Sequence, residues 1–219
     1  MSHLSIIFDL DGTLVDTLED IAETANAVLT HHSLPVHTLN EYRRFIGDGL
    51  KILIERITPP GTEQHLLKAC YRMFFQLYSE NWQNTCHLYD GIDDLLLNLK
   101  KQGIGIAVLS NKPHAFTKLF IEKFFPGEPF ACVYGQRDGV AKKPDPTVAL
   151  AIAERLGNCP RNMLFVGDSG IDIRTGKAAG MTTVAVSWGF CSIQALREEN
   201  PDFIINSPME LLQYVRPLA

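Results

Sequence analysis

The stretch Ile6-Ile7-Phe8-Asp9-Leu10-Asp11-Gly12-Thr13-Leu14-Val15-Asp16-Thr17 decides how this chain is read. Its apolar run, Leu4 to Phe8, has the length and continuity of a strand buried on both faces, as in the middle of a parallel sheet. Asp9 and Asp11 follow, two residues apart, so in extended chain both carboxylates point the same way. Gly12 lets the backbone turn sharply, and Thr13 adds a hydroxyl beside the acids. A strand closed by an ordinary Asp-Gly turn would give the same short pattern. The short pattern alone leaves both readings open, but paired carboxylates at the end of a buried strand are costly unless a cation or a proton sits beside them.

Outward from that stretch, Thr17-Leu18-Glu19-Asp20 has the form of a capping box opening a helix. Leu18, Ile21, Ala22, Ala25, Val28 and Leu29 keep helical spacing, with His31 and His32 facing solvent near the end. Further helices are expected over 39–46, 50–57 and 62–79, interrupted by Gly47-Asp48-Gly49 and stopped by Pro59-Pro60-Gly61. Residues 16–82 therefore read as all helix, with Tyr71, Phe74 and Tyr78 as bundle core. After Trp82 the pattern alternates. Strands at 104–109, 130–134, 163–166, 182–187 and 203–205 are interleaved with helices at 91–101, 113–125, 146–157, 171–179 and 209–215. This predicts an α/β fold: a doubly wound, Rossmann-like parallel sheet built from residues 1–15 and 83–219, with a helical cap, 16–82, inserted after the first strand. A cap in that position overhangs the edge where Asp9 and Asp11 emerge, and can exclude water and select substrates.

The bulk composition excludes several classes. With 46% hydrophobic and 21% charged residues, the chain has the balance of an ordinary soluble globular protein. A net charge of −5 and the absence of any long Lys/Arg run argue against a nucleic-acid partner. Cys70, Cys86, Cys132, Cys159 and Cys191 are odd in number and form no CxxC pair, so they read as reduced thiols. The opening apolar run is too short for a signal peptide, and no stretch approaches the roughly 20 apolar residues of a membrane span. The expectation is a cytoplasmic protein, monomer or homodimer, without membrane association.

Three apolar strands end in polar residues: Asp9 and Asp11, Ser110 and Asn111, and Asp168. In an open α/β sheet, the ligand crevice lies at those carboxyl ends. Asp172, four residues beyond Asp168 and early in the next helix, can share the site. Carboxylates gathered there would repel one another by about 4 kcal/mol per pair at 4 Å and intermediate dielectric. Lys143, in Ala141-Lys142-Lys143-Pro144-Asp145-Pro146, supplies one positive charge, which is insufficient. A hard divalent cation such as Mg²⁺ suits such oxygen ligands together with a substrate phosphate. Ser110, Asn111 and Lys143 are then placed to hold phosphate oxygens, and the chemistry expected is phosphoryl transfer.

These residues resemble the four motifs of the haloacid dehalogenase superfamily, in its phosphatase branch. The matching positions are Asp9-Leu10-Asp11-Gly12-Thr13, Ser110, Lys143 before Pro144, and Gly167-Asp168-Ser169-Gly170-Ile171-Asp172. The resemblance covers essentially the whole chain, with the spacing of the type whose helical cap (C1) follows motif one. It implies that Asp9 attacks phosphorus to form an aspartyl-phosphate. Asp11 would protonate the leaving oxygen and later deprotonate water, with its backbone carbonyl on Mg²⁺. The first step requires Asp11 to hold a proton, a state that crowding by other carboxylates would favour. The resemblance also assigns Asp9 and Asp168 as metal ligands, Asp172 as a ligand or its neighbour, Ser110 and Lys143 to the phosphoryl group, and Thr13 and Asn111 as supporting contacts.

Phe45-Ile46-Gly47-Asp48-Gly49-Leu50-Lys51-Ile52-Leu53, Ser110-Asn111-Lys112-Pro113 and Lys143-Pro144-Asp145-Pro146 resemble the phosphoglycolate phosphatases. Gly47 and Gly49 would allow close backbone approach to a small phosphorylated metabolite. The β-phosphoglucomutases usually carry an Arg in this loop, where only Lys51 is found. Pyrophosphatase and broad sugar-phosphate phosphatase activities remain as alternatives. So do a receiver-like phospho-acceptor and a regulator without turnover. Phosphonoacetaldehyde hydrolase would need an early cap lysine, and residues 16–50 contain none.

Overall fold

The computed structural model describes residues 4–127 and 129–215, so the outermost residues of the expected core, 1–3 and 216–219, lie outside it. The sheet is built from strands β1 (Ser5–Phe8), β4 (Gly105–Pro113), β5 (Cys132–Gln136), β6 (Met163–Gly167), β7 (Thr182–Val186) and β8 (Phe203–Ile205). Their spatial order is β5-β4-β1-β6-β7-β8, and every pairing is parallel. β1 sits between β4 and β6, with Ile6 opposite both Ile106 and Leu164. The sheet order therefore reverses direction on either side of the strand that delivers Asp9 and Asp11, where a doubly wound sheet opens its crevice.

Period-two alternation explains how both faces are covered. Ile6, Phe8, Ile106, Val108, Leu164 and Val166 face one core, whereas Ile7, Ala107, Leu109, Met163 and Phe165 face another. Helices α5 (Ile92–Lys101) and α6 (His114–Phe124) supply Leu95, Leu99, Phe116 and Phe120 to the first. Helix α7 (Thr147–Arg155) closes the second with Val148, Ala149 and Ile152. Helices α8 (Gly170–Ala178) and α9 (Ile193–Glu198) complete the layers. This is the expected α/β architecture.

Helices α1 (Leu18–His31), α2 (Leu39–Phe45), α3 (Leu50–Ile57) and α4 (Gln64–Asn81) follow one another and pack together. Cys70, Phe74 and Tyr78 are the buried residues of α4, while Tyr71 lies at the surface. The segment is not helical from its first residue. Val15–Asp16 (β2) pairs antiparallel with His87–Leu88 (β3), so a short ribbon joins the chain as it leaves and re-enters the core. Two-residue strands carry too little pattern to be seen in sequence.

Four further expectations are corrected. The Thr17 hydroxyl does not cap α1 but donates to Asp11 Oδ1 at 2.8 Å. Asp20, the other half of the expected box, accepts instead from Thr85 N (3.0 Å), Thr85 Oγ1 (3.0 Å) and Cys86 N (2.9 Å). A reciprocal cap is found at α2, where the Glu41 carboxylate accepts from Thr38 N and its backbone N–H donates to the Thr38 hydroxyl. β4 runs through Ser110, Asn111 and Lys112 where the strand was expected to stop at 109, and β5 begins two residues later than expected. The last helix is a run of 3₁₀ turns over Pro208–Tyr214, and α9 was unforeseen because six polar-rich residues give no clear period. Among the described residues, no helix is long and apolar enough to cross a membrane.

Asp20 is buried and accepts from Thr85 and Cys86 just before β3, so its loss removes those charge-assisted hydrogen bonds together. Asp20→Ala is expected to lower unfolding stability by about 3 kcal/mol in urea titration, with Asp20→Asn intermediate.

Candidate active site

Three strand ends converge. Asp9 follows β1 directly, and its Oδ1 accepts from Leu10 N at 2.7 Å. Asp168 follows β6, with Oδ2 accepting from Phe190 N at 2.7 Å and Oδ1 from Thr13 Oγ1 at 3.3 Å. Asp172 lies in the first turn of α8 and reaches back to Ser169, accepting from its N (3.1 Å) and Oγ (2.5 Å). The Lys143 ammonium stands between two of these acids, 2.8 Å from Asp9 Oδ1 and 2.6 Å from Asp172 Oδ1. All four side chains are buried.

One ammonium cannot neutralise three buried carboxylates. Burial, followed by the Asp172 charge, pushes the Asp9 carboxyl up to about 7 against the pull of Lys143. Burial and then the Asp172 and Asp9 charges hold Asp168 well above the usual carboxylate range, with the Phe190 N–H working the other way. Burial would lower Lys143, but Asp172 and Asp9 override it and keep the ammonium above its ordinary value. One oxygen from each of Asp9, Asp168 and Asp172 lies within 4.8 Å of the others. This is an all-oxygen donor set with unbalanced negative charge, and it fits a hard divalent cation. Asp172 accepts three hydrogen bonds, from Lys143 Nζ and from Ser169 N and Oγ, whereas Asp9 and Asp168 accept two each and keep more lone pairs to spare, so the latter two are the stronger ligand candidates.

Asp11 is separated from this cluster by its partners. Its Oδ1 accepts from Lys112 Nζ at 3.0 Å and from Thr17 Oγ1 at 2.8 Å. The carboxylate crowding expected around Asp11 is found around Asp9 and Asp168 instead. Asn111 also differs from expectation. Its Nδ2 donates to Gly47 O and Lys143 O, and its Oδ1 accepts from Lys143 N, each at 3.0 Å. Its amide thus pins the lysine-bearing loop to the loop before α3 and is not free for a phosphate oxygen. Thr13 likewise holds Asp168. Ser110 retains its hydroxyl proton while accepting from Lys112 N at 3.2 Å.

Glycine is required where these parts touch. At Gly12 (φ +81°), a Cβ would lie 2.3 Å from Asp168 Oδ2. At Gly49 (φ +86°), it would lie 2.9 Å from the Asn111 carbonyl, so this glycine lets the helical segment approach core backbone.

Asp9, Asp11, Asp168, Ser110, Asn111, Gly47 and Gly49 all line one cavity between the strand ends and α2–α4. Its other polar walls include Arg43 and Lys112, which the sequence reading did not single out. Arg43 precedes the loop in which only Lys51 was weighed, and Lys112 ends a continuous apolar strand in Ser-Asn-Lys, the one sign that it faced the crevice.

A doubly wound sheet with a buried carboxylate after β1, a lysine paired to it and an acidic cluster alongside is the arrangement of a hydrolase of the haloacid dehalogenase type. Comparison with known proteins agrees. The sequence profile of the haloacid dehalogenase-like hydrolases matches residues 6–186, and the chain belongs to that family. Phosphoglycolate phosphatase of Pseudomonas putida is 31% identical over 212 residues, covering 94% of this chain and 78% of its own length. Phosphoglycolate phosphatase of Psychrobacter arcticus is 30% identical over 222 residues, covering 98% and 96%. A solved structure from Lactobacillus delbrueckii subsp. bulgaricus superposes with a TM-score of 0.92 at 26% identity, covering 99% of this chain and 100% of that one. The chain is an enzyme of the phosphatase type.

Asp9 gives a test of the charge imbalance. Its carboxyl is ordinary in the unfolded chain and titrates near 7 when folded, so the folded state holds the extra proton between about pH 4 and pH 7. Its stabilising contribution is complete below that window and lost as pH rises through it. Asp145 and Asp202 are held low, so their opposite contributions are in place by pH 5. Metal-free protein is expected to lose at least about 5 °C in melting temperature between pH 5 and pH 8, and millimolar Mg²⁺ to restore more at pH 8 than at pH 5. Differential scanning fluorimetry measures both.

Proposed function

We propose that the protein is a Mg²⁺-dependent phosphomonoesterase that works through an aspartyl-phosphate on Asp9 and acts on 2-phosphoglycolate. The observation that carries this reading is the Asp9–Lys143–Asp172 arrangement, with Asp168 beside it and Asp11 in the same cavity. Asp9, Asp168 and, directly or through water, Asp172 would hold the cation, with the Asp11 carbonyl as a further donor. The cation supplies neutralisation of the phosphoryl oxygens and of the carboxylates around them.

Asp9 attacks phosphorus with the oxygen not held by Lys143, while the ammonium fixes the orientation of the carboxylate and draws charge from the phosphoryl group. The Ser110 hydroxyl donates to a phosphoryl oxygen. Asp11 gives its proton to the leaving alkoxide, then takes one from the water that hydrolyses the acyl phosphate. Lys112 and Thr17 hold the Asp11 carboxylate in place between the two transfers. The helices of residues 16–82 act as a cap, excluding water from the site and shaping the space left for the leaving group.

The substrate follows from two supports. The relatives at 30–31% identity over nearly the whole chain carry the name phosphoglycolate phosphatase. The cavity also joins an acidic, metal-fitting end to an end where Lys112 stands, as a small ester with a second anionic group would require.

Phosphate release is expected with Mg²⁺ and to be abolished by EDTA. Asp9→Asn, a near-isosteric change at a buried site, should fold and yet lose at least about 10³-fold in kcat, roughly 4 kcal/mol of transition-state stabilisation. Among 2-phosphoglycolate, pyrophosphate and sugar phosphates, the first should lead in kcat/KM. A tenfold preference for pyrophosphate would replace the substrate and leave the reaction class standing. Undiminished turnover by Asp9→Asn would remove both.

A further inference from the structure

Lys112 is a buried cation with a donor to spare. Its side chain is 4% exposed, yet it lines the cavity. Its Nζ is 4.4 Å from the Phe120 ring centroid and 4.8 Å from that of Tyr78, whose aromatic faces favour a cation and keep water away. An ammonium has three N–H groups. Two are used, on Asp11 Oδ1 at 3.0 Å and on the Tyr78 hydroxyl at 2.9 Å, and among the described residues the third meets no acceptor.

The position of that spare donor is informative. Asp11 is the group that serves the leaving oxygen in the proposed reaction, and Lys112 lies within one hydrogen bond of it. An anionic group carried close to the ester oxygen would therefore arrive beside Lys112. In a 2-phosphooxy carboxylate, the carboxyl is separated from the ester oxygen by a single carbon, so protonation at Asp11 and carboxylate capture at Lys112 are compatible in one pose. Much of the rest of the lining suits a short leaving group with few hydroxyls, for Leu50, Leu53, Phe74 and Phe116 are apolar.

Arg43 is the other cation facing this space, but its Nη1 donates to the Gly189 carbonyl at 3.2 Å, beside Phe190 and hence on the Asp168 side of the site. The acidic cluster and Lys143 account for the phosphoryl end. Lys112 remains for the other end.

We propose that Lys112 is the specificity-determining residue that binds the leaving group's carboxylate, selecting phosphate esters of 2-hydroxy carboxylates over neutral esters of the same size. The proposal rests on the phosphomonoesterase reading and refines its substrate class. A lysine bound only to Asp11 would affect every substrate alike, whereas a carboxylate anchor affects only those that carry the carboxylate.

The measurement is the ratio of kcat/KM for 2-phosphoglycolate to that for 2-hydroxyethyl phosphate, which replaces the carboxylate with a neutral hydroxymethyl group. The wild-type ratio should be high. Lys112→Met should reduce it at least about 30-fold, the scale of one lost charge-assisted hydrogen bond. Any general loss caused by disturbing Asp11 cancels in the ratio. Lys112→Arg keeps the charge and the ion pair while moving the donors, and serves if the Met variant does not fold. It should raise KM for 2-phosphoglycolate at least about threefold more than KM for the neutral ester. An unchanged ratio in both variants, or a collapse caused by Arg43→Gln and not by Lys112→Met, overturns the assignment. Equal wild-type activity on the two esters also overturns it, while leaving hydrolysis through Asp9 intact. Absence of turnover on any ester by the wild type would remove the underlying reading itself.

Discussion

The contact on which the site depends is the Lys143 ammonium held between Asp9 and Asp172. Three carboxylates come together in buried surroundings because β1 and β6 are paired, so that Asp9 and Asp168 emerge side by side, and the first turn of α8 returns Asp172 to the same place. A single lysine makes the cluster tolerable without satisfying it. The remaining charge makes the site receptive to a divalent cation and an incoming phosphate. The lysine is itself fixed from behind: the Asn111 amide grips its backbone on both sides and the Gly47 carbonyl as well. The loop that carries the charge, the strand end that carries Ser110 and the loop before α3 are thus one mechanical unit.

The site has two electrostatic compartments. Asp9, Asp168, Asp172 and Lys143 form an acidic one, whereas Asp11 and Lys112 balance each other in a second, walled by Tyr78 and Phe120. The division suits a reaction in which one end of the substrate is a dianion that wants metal and the other is a leaving group that wants a proton. Asp9 and Asp11 are only two residues apart, yet the chain leaves β1 at Phe8 and bends at Leu10, which places the two carboxylates in different surroundings.

Most of the fold was legible because buried parallel strands are short unbroken apolar runs. Ile6 to Phe8, Met163 to Val166 and Thr182 to Val186 have no competing interpretation once helices intervene. Positions whose residue type alone is costly, such as Asp9, Asp168 and Lys143, could be singled out for the same reason. What could not be read depends on partners remote in sequence. Thr17 and Asp20 satisfy the local rule for a helix cap, but Asp11 and the Thr85 and Cys86 amides are better partners, and tertiary contacts prevail. Asn111 was read as a phosphate contact because its place at a strand end was visible and its grip on residue 143 was not. Lys112 stands in the Ser110-Asn111-Lys112-Pro113 stretch with no role legible in the sequence, because its contacts to Asp11, Tyr78 and Phe120 are remote along the chain and only the three-dimensional arrangement shows it enclosed.

Gly12 contributes no functional group, yet it is the most constrained member of the opening motif. Any side chain there would occupy the volume of the Asp168 carboxylate, and its backbone conformation disfavours every other residue. The distance between the first and third strand ends is thus set by the thickness of a bare peptide, with nothing soft in between to absorb a change. In a mutational library scored for folding rather than turnover, position 12 should tolerate fewer replacements than Asp9 and Asp11 before it, for which isosteric amides exist. For folding, the narrowest tolerance in the motif belongs to the residue that has no side chain at all.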